Sequence, residues 1–201
     1  IDIYIPYEDI KKYSRPNCGI FEINNQKYYP GNDRLYEYNE NTKQFNAVKE
    51  IDKSGRIFIP PHGINSRLID NEGNVWFGGG GSLYKFDHQR KLMINHNPQN
   101  WPPGTEIWNL YERNKDQFWI CTGNRGALLY DKISQKIIQS LNYNSNDPQA
   151  DNAVGPLIEV NGEIWVGTFK GIRIYDGKSF KLKKSYFKND LSKLADNIIT
   201  I

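Results

Sequence analysis

One alternation of apolar and polar positions recurs along the chain. Each copy reads Trp, an apolar residue, two small residues, a turn that contains Gly, and an alternating strand that ends in Tyr or Phe followed by Asp. The copies begin at Trp76, Trp119 and Trp165, which are 43 and 46 residues apart. Tyr28 occupies the Trp position of a fourth, weaker copy, 48 residues before Trp76. A period of about 40–50 residues is typical of β-propeller blades, which have four strands each.

Local signals place the strands within each copy. In the unit around Trp76, the segment 64–69 reads as an apolar inner strand, and Asp-Asn-Glu-Gly at 70–73 has the residues of a tight turn. Asn161-Gly162 lies between two apolar runs, which is the strongest short-range hairpin signal. No segment shows sustained apolar spacing at the helical period. The pattern therefore predicts an all-β chain of about four propeller blades, each with four antiparallel strands.

The repeat also predicts the boundaries of the blades. A closed propeller has about four to eight blades, and this chain begins and ends within partial units. We therefore expect a piece of a larger propeller, with a compact four-bladed closure as the alternative. The predicted ranges are 1–16 for the end of a preceding blade or a linker, 17–62 for a degenerate blade 1, 63–104 for blade 2, 105–151 for blade 3, 152–193 for blade 4, and 194–201 for the first strand of a further blade.

The repeated aromatic position has a structural explanation. Propeller blades pack face to face around an axis, and a large flat side chain on the second strand fills the space between two blades. A Trp side chain buries on the order of 200 Å². We therefore predict that Tyr28, Trp76, Trp119 and Trp165 are inter-blade core residues and do not form a ligand cage.

Composition narrows the function classes. The chain is 38% hydrophobic and 13% aromatic, and its net charge of +3 is scattered along the sequence. Nucleic-acid-binding proteins usually concentrate more positive charge than this, so we expect no nucleic-acid partner. No apolar run approaches the roughly 18 residues of a membrane span, so we expect no direct membrane insertion. Cys18 and Cys121 lie in different repeats, and whether they form a disulfide stays open.

Catalytic and metal chemistry has no recognisable motif in this chain. His62, His88 and His96 have neither metal-ligand spacing nor a nucleophile motif. The glycine run at 78–81 continues into a strand, whereas a phosphate-binding loop needs Lys-Ser/Thr and a following helix. No acidic pair recurs at a structurally special place. We expect no catalytic residue, no metal site and no cofactor in this segment.

The loops at one end of the blades are the predicted place for a ligand. In a four-stranded blade, the loop between strands two and three shares a face with the crossover to the next blade. Loops on a rigid scaffold are the usual carriers of binding. The loops are 79–82, 123–126 and 168–171, and the crossovers are 95–105, 142–152 and 185–196.

Four residues on this face are the ligand-binding candidates. Sugar recognition uses an aromatic face for C–H groups and planar polar groups for hydroxyls. Trp101 lies outside the packing position of the repeat, and Asn124, Arg125 and Lys170 lie at loop tips. The alternatives are that Trp101 packs against an adjacent blade and that the three polar residues are solvated loop residues. Trp108 belongs to an inner strand and is expected to face the core.

The segment 157–176 has the most regular copy of the repeat. It reads Leu-Ile-Glu-Val-Asn-Gly-Glu-Ile-Trp-Val-Gly-Thr-Phe-Lys-Gly-Ile-Arg-Ile-Tyr-Asp. This segment resembles the two-component regulator propeller repeat, which runs as an apolar strand, Asp-x-x-Gly, Leu/Ile-Trp-Ile-Gly-Thr, a loop with Gly, and Leu-x-x-Tyr-Asp. The likeness covers most of 17–201. Tyr28 and Pro30 replace Trp and Gly in the first copy, and Cys-Thr-Gly at 121–123 departs from Ile-Gly-Thr.

The resemblance implies a fold and a role. Such repeats usually build seven-bladed propellers that form the periplasmic sensing part of hybrid two-component regulators in Bacteroidetes, where they resemble receptors for oligosaccharides. The chain is then a ligand-sensing segment that is not itself an enzyme, in an inner-membrane protein whose histidine kinase lies elsewhere. Its expected partners are an oligosaccharide or other small ligand and the neighbouring blades or domains, with a homodimer left open. The alternatives are a non-signalling, lectin-like or protein-interaction scaffold and, less favoured, a propeller polysaccharide lyase or hydrolase.

Overall fold

The computed structural model describes residues 19–31, 34–52, 54–57, 63–79, 81–142 and 152–187. The predictions made for 1–16 and 194–201, for Cys18 and for His62 therefore lie outside the described residues. The chain divides into two compact units, 1–97 and 98–201, and each is described by itself.

The first unit contains two sheets whose successive strands pair antiparallel. In sheet 1 the strands are β1 (Phe21–Ile23), β2 (Gln26–Pro30), β3 (Leu35–Asn39) and β4 (Gln44–Ala47). A short strand, β5 (Lys49–Ile51), follows. In sheet 2 the successive strands are β6 (Ile64–Ile69), β7 (Val75–Gly79), β8 (Ser82–Asp87) and β9 (Leu92–Asn95).

The second unit repeats the same arrangement twice. In sheet 3 the strands are β10 (Ile107–Asn114), β11 (Gln117–Thr122), β12 (Ala127–Asp131) and β13 (Lys136–Leu141). In sheet 4 they are β14 (Val154–Val160), β15 (Glu163–Thr168), β16 (Gly171–Asp176) and β17 (Leu182–Phe187). The described part of the chain is nearly all β, and its four antiparallel sheets have the form of propeller-like blades. The predicted fold class is confirmed.

In sheets 2 and 3 the chain that precedes the sheet also protects its outer edge. β5 lies within the range 17–62 that the sequence assigns to the first blade, yet it pairs parallel with β9 of sheet 2. In sheet 3 the side chain of Asn100 takes the corresponding place beside β13. Its Nδ2 donates to the Ile137 carbonyl at 2.9 Å, and its Oδ1 accepts from the Ile137 N–H at 3.0 Å. A strand in one sheet and an amide in another thus satisfy backbone groups that an edge strand would leave unpaired.

The Asp at the end of each repeat caps the turn between the third and fourth strands. Asp131 Oδ1 accepts from the Ser134 N–H and hydroxyl, both at 2.7 Å, and Asp176 bonds Ser179 in the same way. These hydrogen bonds hold the pKa of both carboxyls below the usual range. In each sheet the third strand ends in Asp or Asn, and the residue four positions later is a non-Gly residue with a φ angle in the left-handed region. These residues are Lys43 (φ 58°), Lys91 (φ 53°), Gln135 (φ 54°) and Phe180 (φ 58°).

The core of the first unit lies between sheets 1 and 2. One cluster joins Phe21, Tyr28 and Leu35 of sheet 1 to apolar side chains of sheet 2 that include Phe77 and Phe86. The Phe21 ring lies 5.7 Å from that of Phe77, and the Tyr28 ring meets Phe86 edge-on at 4.9 Å. Burial, followed by the charge of Glu37, raises the pKa of Tyr28 to about 12. The aromatic face of one sheet is therefore covered by the next sheet along the chain.

The core of the second unit follows the same rule. Trp119 and Cys121 of sheet 3 pack in one cluster with Ile164 and Val166 of sheet 4. Since side chains alternate across a strand, Trp119 and Cys121 share one face of β11, and the two sheet 4 residues share one face of β15.

Polar contacts join sheets 3 and 4 at the edge of this interface. The Trp119 indole N–H donates to the Glu159 carboxylate of sheet 4. Arg113 of sheet 3 lies 3.2 Å from Glu159, donates to the Gly177 carbonyl at 2.8 Å, and stacks over the rings of Trp119 and Phe180. Trp119 and Arg113 of sheet 3 therefore both find polar partners on sheet 4.

The four repeated aromatic positions differ in exposure. Tyr28 and Trp76 are each 2% exposed and Trp119 is fully buried, whereas Trp165 is half-buried. The Trp76 indole donates to Asp70 at 2.9 Å, and the same carboxylate accepts the Asn74 N–H in the turn that leads to this strand. Tyr28 packs in one cluster with sheet 2, and Trp119 packs in one cluster with sheet 4. The inter-blade roles of the four aromatic positions stay predictions.

We expect Trp119→Ala to lower the free energy of unfolding by about 3–5 kcal/mol, because it opens a cavity at a fully buried site. Trp165→Ala removes a half-buried ring and should cost only about 1–2 kcal/mol. Urea unfolding followed by circular dichroism measures both values. Equal costs for the two variants would contradict the difference in packing.

The left-handed turn residues allow a second comparison. Gln135→Gly should raise the free energy of unfolding by about 0.5–1 kcal/mol, because Gly adopts a positive φ without steric cost. Phe180→Gly relieves the same strain but removes a ring that lies 6.1 Å from Trp119, so it should destabilise the protein. Thermal unfolding of the two variants tests this difference in sign.

Candidate functional site

Two backbone segments meet at one end of sheet 3. The loop that joins β11 to β12 lies against the crossover that leads into β10. Asn124 Nδ2 donates to the Gly104 carbonyl at 2.7 Å, while its Oδ1 accepts from the Glu106 N–H at 3.3 Å. Arg125 Nη2 donates to the Pro103 carbonyl at 2.9 Å. The structure thus brings Asn124 and Arg125 together on the crossover, and both hold its backbone in place.

A threonine braces this loop and its counterpart in sheet 4. Thr122 Oγ1 donates to the Gly126 carbonyl at 2.7 Å and accepts from the Arg125 N–H at 2.8 Å. Thr168 Oγ1 donates to the Gly171 carbonyl at 3.0 Å and accepts from the Lys170 N–H at 3.3 Å. Both loops are therefore fixed by short internal hydrogen bonds, and Lys170 lies half-buried at the tip of the second.

A pair of aromatic side chains lies at the same end of the second unit. The rings of Trp108 and Phe169 are 5.5 Å apart and tilted by 57°. Phe169 is 54% exposed, and Trp108 is half-buried. Trp108 comes from the inner strand of sheet 3, and Phe169 comes from the loop that joins β15 to β16. The pair presents an aromatic surface next to the loops that were predicted to carry ligand binding.

A β-bulge explains why Trp108 does not follow the expected alternation. Ile107 pairs with Thr122 and Asn109 pairs with Cys121, so Trp108 is an extra residue on β10. Such a bulge turns a side chain away from the regular face, and bulges are over-represented beside functional sites. The prediction that Trp108 faces the core is therefore wrong for this side chain, which lies outside the buried core.

The inner strands of sheets 2 and 4 carry an irregularity at the same place. The register shifts between Ile64 and Ser66 in sheet 2 and between Val154 and Leu157 in sheet 4. Asn109, the residue after the bulge in sheet 3, donates through Nδ2 to the Gly155 carbonyl of sheet 4 at 3.3 Å. Each of these three sheets therefore has irregular backbone at the corresponding end of its own inner strand, and in sheet 3 the extra residue is the aromatic Trp108.

Gly123 makes room for the Trp108 indole. A Cβ at position 123 would lie 2.7–2.8 Å from three ring atoms of Trp108. The Gly123 N–H also donates to the Glu106 carbonyl at 2.8 Å, which holds the loop close to the crossover. The small residue at this position is therefore required by the indole and not by an unusual φ angle.

Trp101 lies in a different part of the crossover. Its N–H donates to the Pro98 carbonyl at 3.1 Å, and its half-buried side chain follows Asn100, which is bonded to the outer strand β13. Asn124 and Arg125 contact the crossover further along, at 103–106. The ligand-binding roles of Trp101, Asn124, Arg125 and Lys170 stay predictions.

The remaining reactive side chains lie elsewhere. Cys121 is a fully buried free thiol whose pKa is raised by burial. Burial also raises the pKa of Tyr111. His96 lies edge-on to Trp76 with 5.1 Å between ring centres, and His88 is half-buried after β8. Within the described ranges, no group of three or more His, Cys, Asp or Glu side chains could hold a metal ion.

Comparisons with known proteins find this fold in solved structures. No protein-family model matches the chain, and no curated protein matches it. The extracellular domain of a proposed hybrid two component system from B. thetaiotaomicron aligns with a TM-score of 0.62 and 20% identity, over 88% of this chain and 23% of that one. A second such domain from the same organism aligns with a TM-score of 0.61 and 18% identity, over 95% and 28% of the two chains. These two structural matches show that the chain shares its fold with parts of both extracellular domains.

A more distant solved structure has the same fold. BamB from Moraxella catarrhalis aligns with a TM-score of 0.53 and 9% identity, over 83% of this chain and 51% of that chain. The chain described here spans about a quarter of the length of the two B. thetaiotaomicron domains.

We expect Gly123→Ala to lower the free energy of unfolding by about 1–3 kcal/mol, because the added methyl group overpacks against Trp108. The double variant Gly123→Ala/Trp108→Ala removes the clash. Compared with the single variant Trp108→Ala, the added alanine at position 123 should then change the free energy of unfolding by close to zero. Chemical denaturation of the four proteins of this cycle provides the test, and an unchanged cost would show that the indole is not the obstacle.

Proposed function

We propose that this chain is a ligand-sensing segment of the extracytoplasmic part of a two-component regulator and that it responds to an oligosaccharide. Two observations support the signalling part of the proposal. The repeat at 157–176 resembles the two-component regulator propeller repeat. The chain also has the fold of extracellular domains assigned to hybrid two component systems.

The aromatic pair Trp108–Phe169 is the observation that supports ligand binding. Two aromatic rings 5.5 Å apart, one of them 54% exposed, offer an apolar platform at the end of a rigid sheet. The C–H face of a pyranose ring stacks on such a surface, and nearby amide and guanidinium groups can bond its hydroxyls. Arg125 and Lys170 add positive charge at the same end of the unit, so sugars with acidic groups belong in the ligand screen.

We place the segment in the bacterial periplasm, as part of a protein held in the inner membrane with a histidine kinase on another segment. The support comes from the extracellular location of the two domains that share the fold. In the described part of the chain, no helix is long and apolar enough to cross a membrane. Neighbouring domains of the parent chain, and a second copy in a homodimer, are further proposed partners.

A non-signalling, lectin-like scaffold is the second candidate function. The same aromatic platform would serve it, so ligand binding alone does not separate the two candidates. The signalling function requires that the ligand alters the autophosphorylation rate of the kinase in the parent protein. The scaffold function requires binding without any such change.

Removing the platform should weaken ligand binding. Trp108→Ala and Phe169→Ala should each reduce affinity for a responsive oligosaccharide by up to about tenfold, and the double variant by more, because stacking is worth about 1 kcal/mol per ring. A screen of neutral and acidic oligosaccharides against the wild-type protein identifies the probe, and titration calorimetry measures the affinities.

The control variant is Ile133→Ala, which changes a 77% exposed residue in the turn at the opposite end of sheet 3. It should bind like the wild type. Trp101→Ala tests the alternative aromatic candidate in the same series. Full affinity in the Trp108→Ala/Phe169→Ala protein, with loss in Trp101→Ala, would move the site to the crossover.

A further inference from the structure

We propose that Asn161 is a site of spontaneous deamidation and that its conversion to isoaspartate loosens the polar contact between sheets 3 and 4. Asn161 and Gly162 form the turn that joins β14 to β15. This inference concerns a covalent change of the chain itself and does not depend on the proposed ligand or on the signalling role.

The sequence distinguishes this asparagine from the others. Asn161 is the only Asn of the 201-residue chain that is followed by Gly. Deamidation begins when the backbone nitrogen of the next residue attacks the carbon of the side-chain amide. Gly has no Cβ to cover its nitrogen. The attack is therefore least hindered at the Asn-Gly pair.

The structure leaves this turn accessible to the reaction. Val160 pairs with Glu163, so the turn consists of two residues, Asn161 with a φ of 50° and Gly162 with a φ of 77°. Both residues are exposed, and a Cβ at position 162 would meet nothing within 4 Å. Ring closure requires the turn to open, and exposed turns are among the parts of a protein that open most easily.

Hydrogen bonds hold other turn asparagines in place. Asn74 Nδ2 donates to both carboxylate oxygens of Asp70 at 3.1 Å, and the Asn124 amide bonds the backbone of 104–106. The Asn161 amide takes part in none of the hydrogen bonds formed within the described ranges. Its side chain can therefore rotate toward the Gly162 nitrogen without breaking a contact.

The reaction needs no partner other than water. The Gly162 nitrogen forms a bond to Asn161 Cγ and loses its proton, while the side-chain nitrogen leaves as ammonia. Water then opens the resulting succinimide by breaking one of the two C–N bonds of the ring. One product has Asp at position 161. The other is isoaspartate, in which the main chain runs through the side-chain carbon and is longer by one carbon atom, and both products carry a new negative charge.

The position of the turn gives the reaction a structural consequence. The Gly162 carbonyl accepts from the Gly177 N–H at 2.8 Å. The Gly177 carbonyl in turn accepts from Arg113 Nη2 at 2.8 Å, and Arg113 of sheet 3 lies 3.2 Å from Glu159 of sheet 4. Two successive hydrogen bonds thus link the turn to the arginine that joins the two sheets.

Isoaspartate at position 161 would disturb this link in two ways. The longer main chain displaces the Gly162 carbonyl from the Gly177 N–H. The new carboxylate also lies between Glu159 and Glu163 in the sequence, and like charges repel. Lys183 already pairs with Glu163, so the added charge makes this edge of sheet 4 more negative.

Ageing of the protein at mildly alkaline pH tests the assignment of the site. Fragmentation mass spectrometry locates each deamidated residue, and isoaspartyl methyltransferase detects isoaspartate. Asn25 is the internal control, because it is also exposed in a two-residue turn with a φ of 63° but is followed by Gln26. We expect conversion at Asn161 to be at least about tenfold faster than at Asn25, because the Gly162 nitrogen is not covered by a side chain. Equal rates at the two positions would overturn the assignment.

The structural consequence is measured on the separated forms. Ion exchange isolates the isoaspartate form, in which we expect faster hydrogen exchange of the Gly177 N–H and unfolding at a lower urea concentration than in fresh protein. Asn161→Gly keeps a turn that accepts positive φ and cannot deamidate, so the same ageing should leave its unfolding unchanged. Asn161→Asp adds the charge without lengthening the chain and should have a smaller effect.

Unchanged Gly177 exchange together with unchanged unfolding in the isoaspartate form would overturn the link between the turn and the contact of the two sheets. A loss of stability on ageing that also occurs in Asn161→Gly would assign the loss to another residue. The oligosaccharide titrations use fresh protein, so the proposed function and this modification site are tested separately.

Discussion

A four-stranded sheet of this protein has an apolar side that it cannot cover by itself. Sheet 3 solves this by placing Trp119 and Cys121 against Ile164 and Val166 of sheet 4, and sheet 1 solves it with Tyr28 against sheet 2. Layers of secondary structure are stable only when their apolar faces pack on one another. The turns, edges and loops described above depend on this packing, since it decides which side of every strand is buried.

Local chemistry made the main elements predictable. Asn161 and Gly162 both adopt positive φ angles in the turn that the Asn-Gly pair predicted. The apolar segment 64–69 is β6, and its turn ends at Gly73 with a φ of 78°. Period-two alternation and turn residues act over a few positions, so a single sequence reveals them. The burial of Tyr28 and Trp119 was predictable as well, because both residues occupy the aromatic position of the repeat.

Features that depend on pairing between distant segments were not predictable. β5 has no local signal that would assign it to the sheet that follows it, and Asn100 acts on a strand 37 residues away. Trp108 was misassigned because simple alternation does not reveal a β-bulge, and the bulge is defined only by its pairing with β11. The loop residues Asn124 and Arg125 were correctly located at one end of the sheet. Their bonds to the crossover depend on how closely that segment passes.

The protection of the outer strands has a consequence for how such a chain can gain or lose units. β5 precedes sheet 2 and seals its edge, and Asn100 precedes sheet 3 and seals that edge. The natural module is thus a sheet together with the connector before it. A recombination event or a designed graft that moves 48–95 transfers sheet 2 together with the strand that protects its outer edge. A graft that moves 64–106 leaves β5 behind, so sheet 2 loses the strand that covers its outer edge. The same graft removes Asn100, which protects the outer edge of sheet 3.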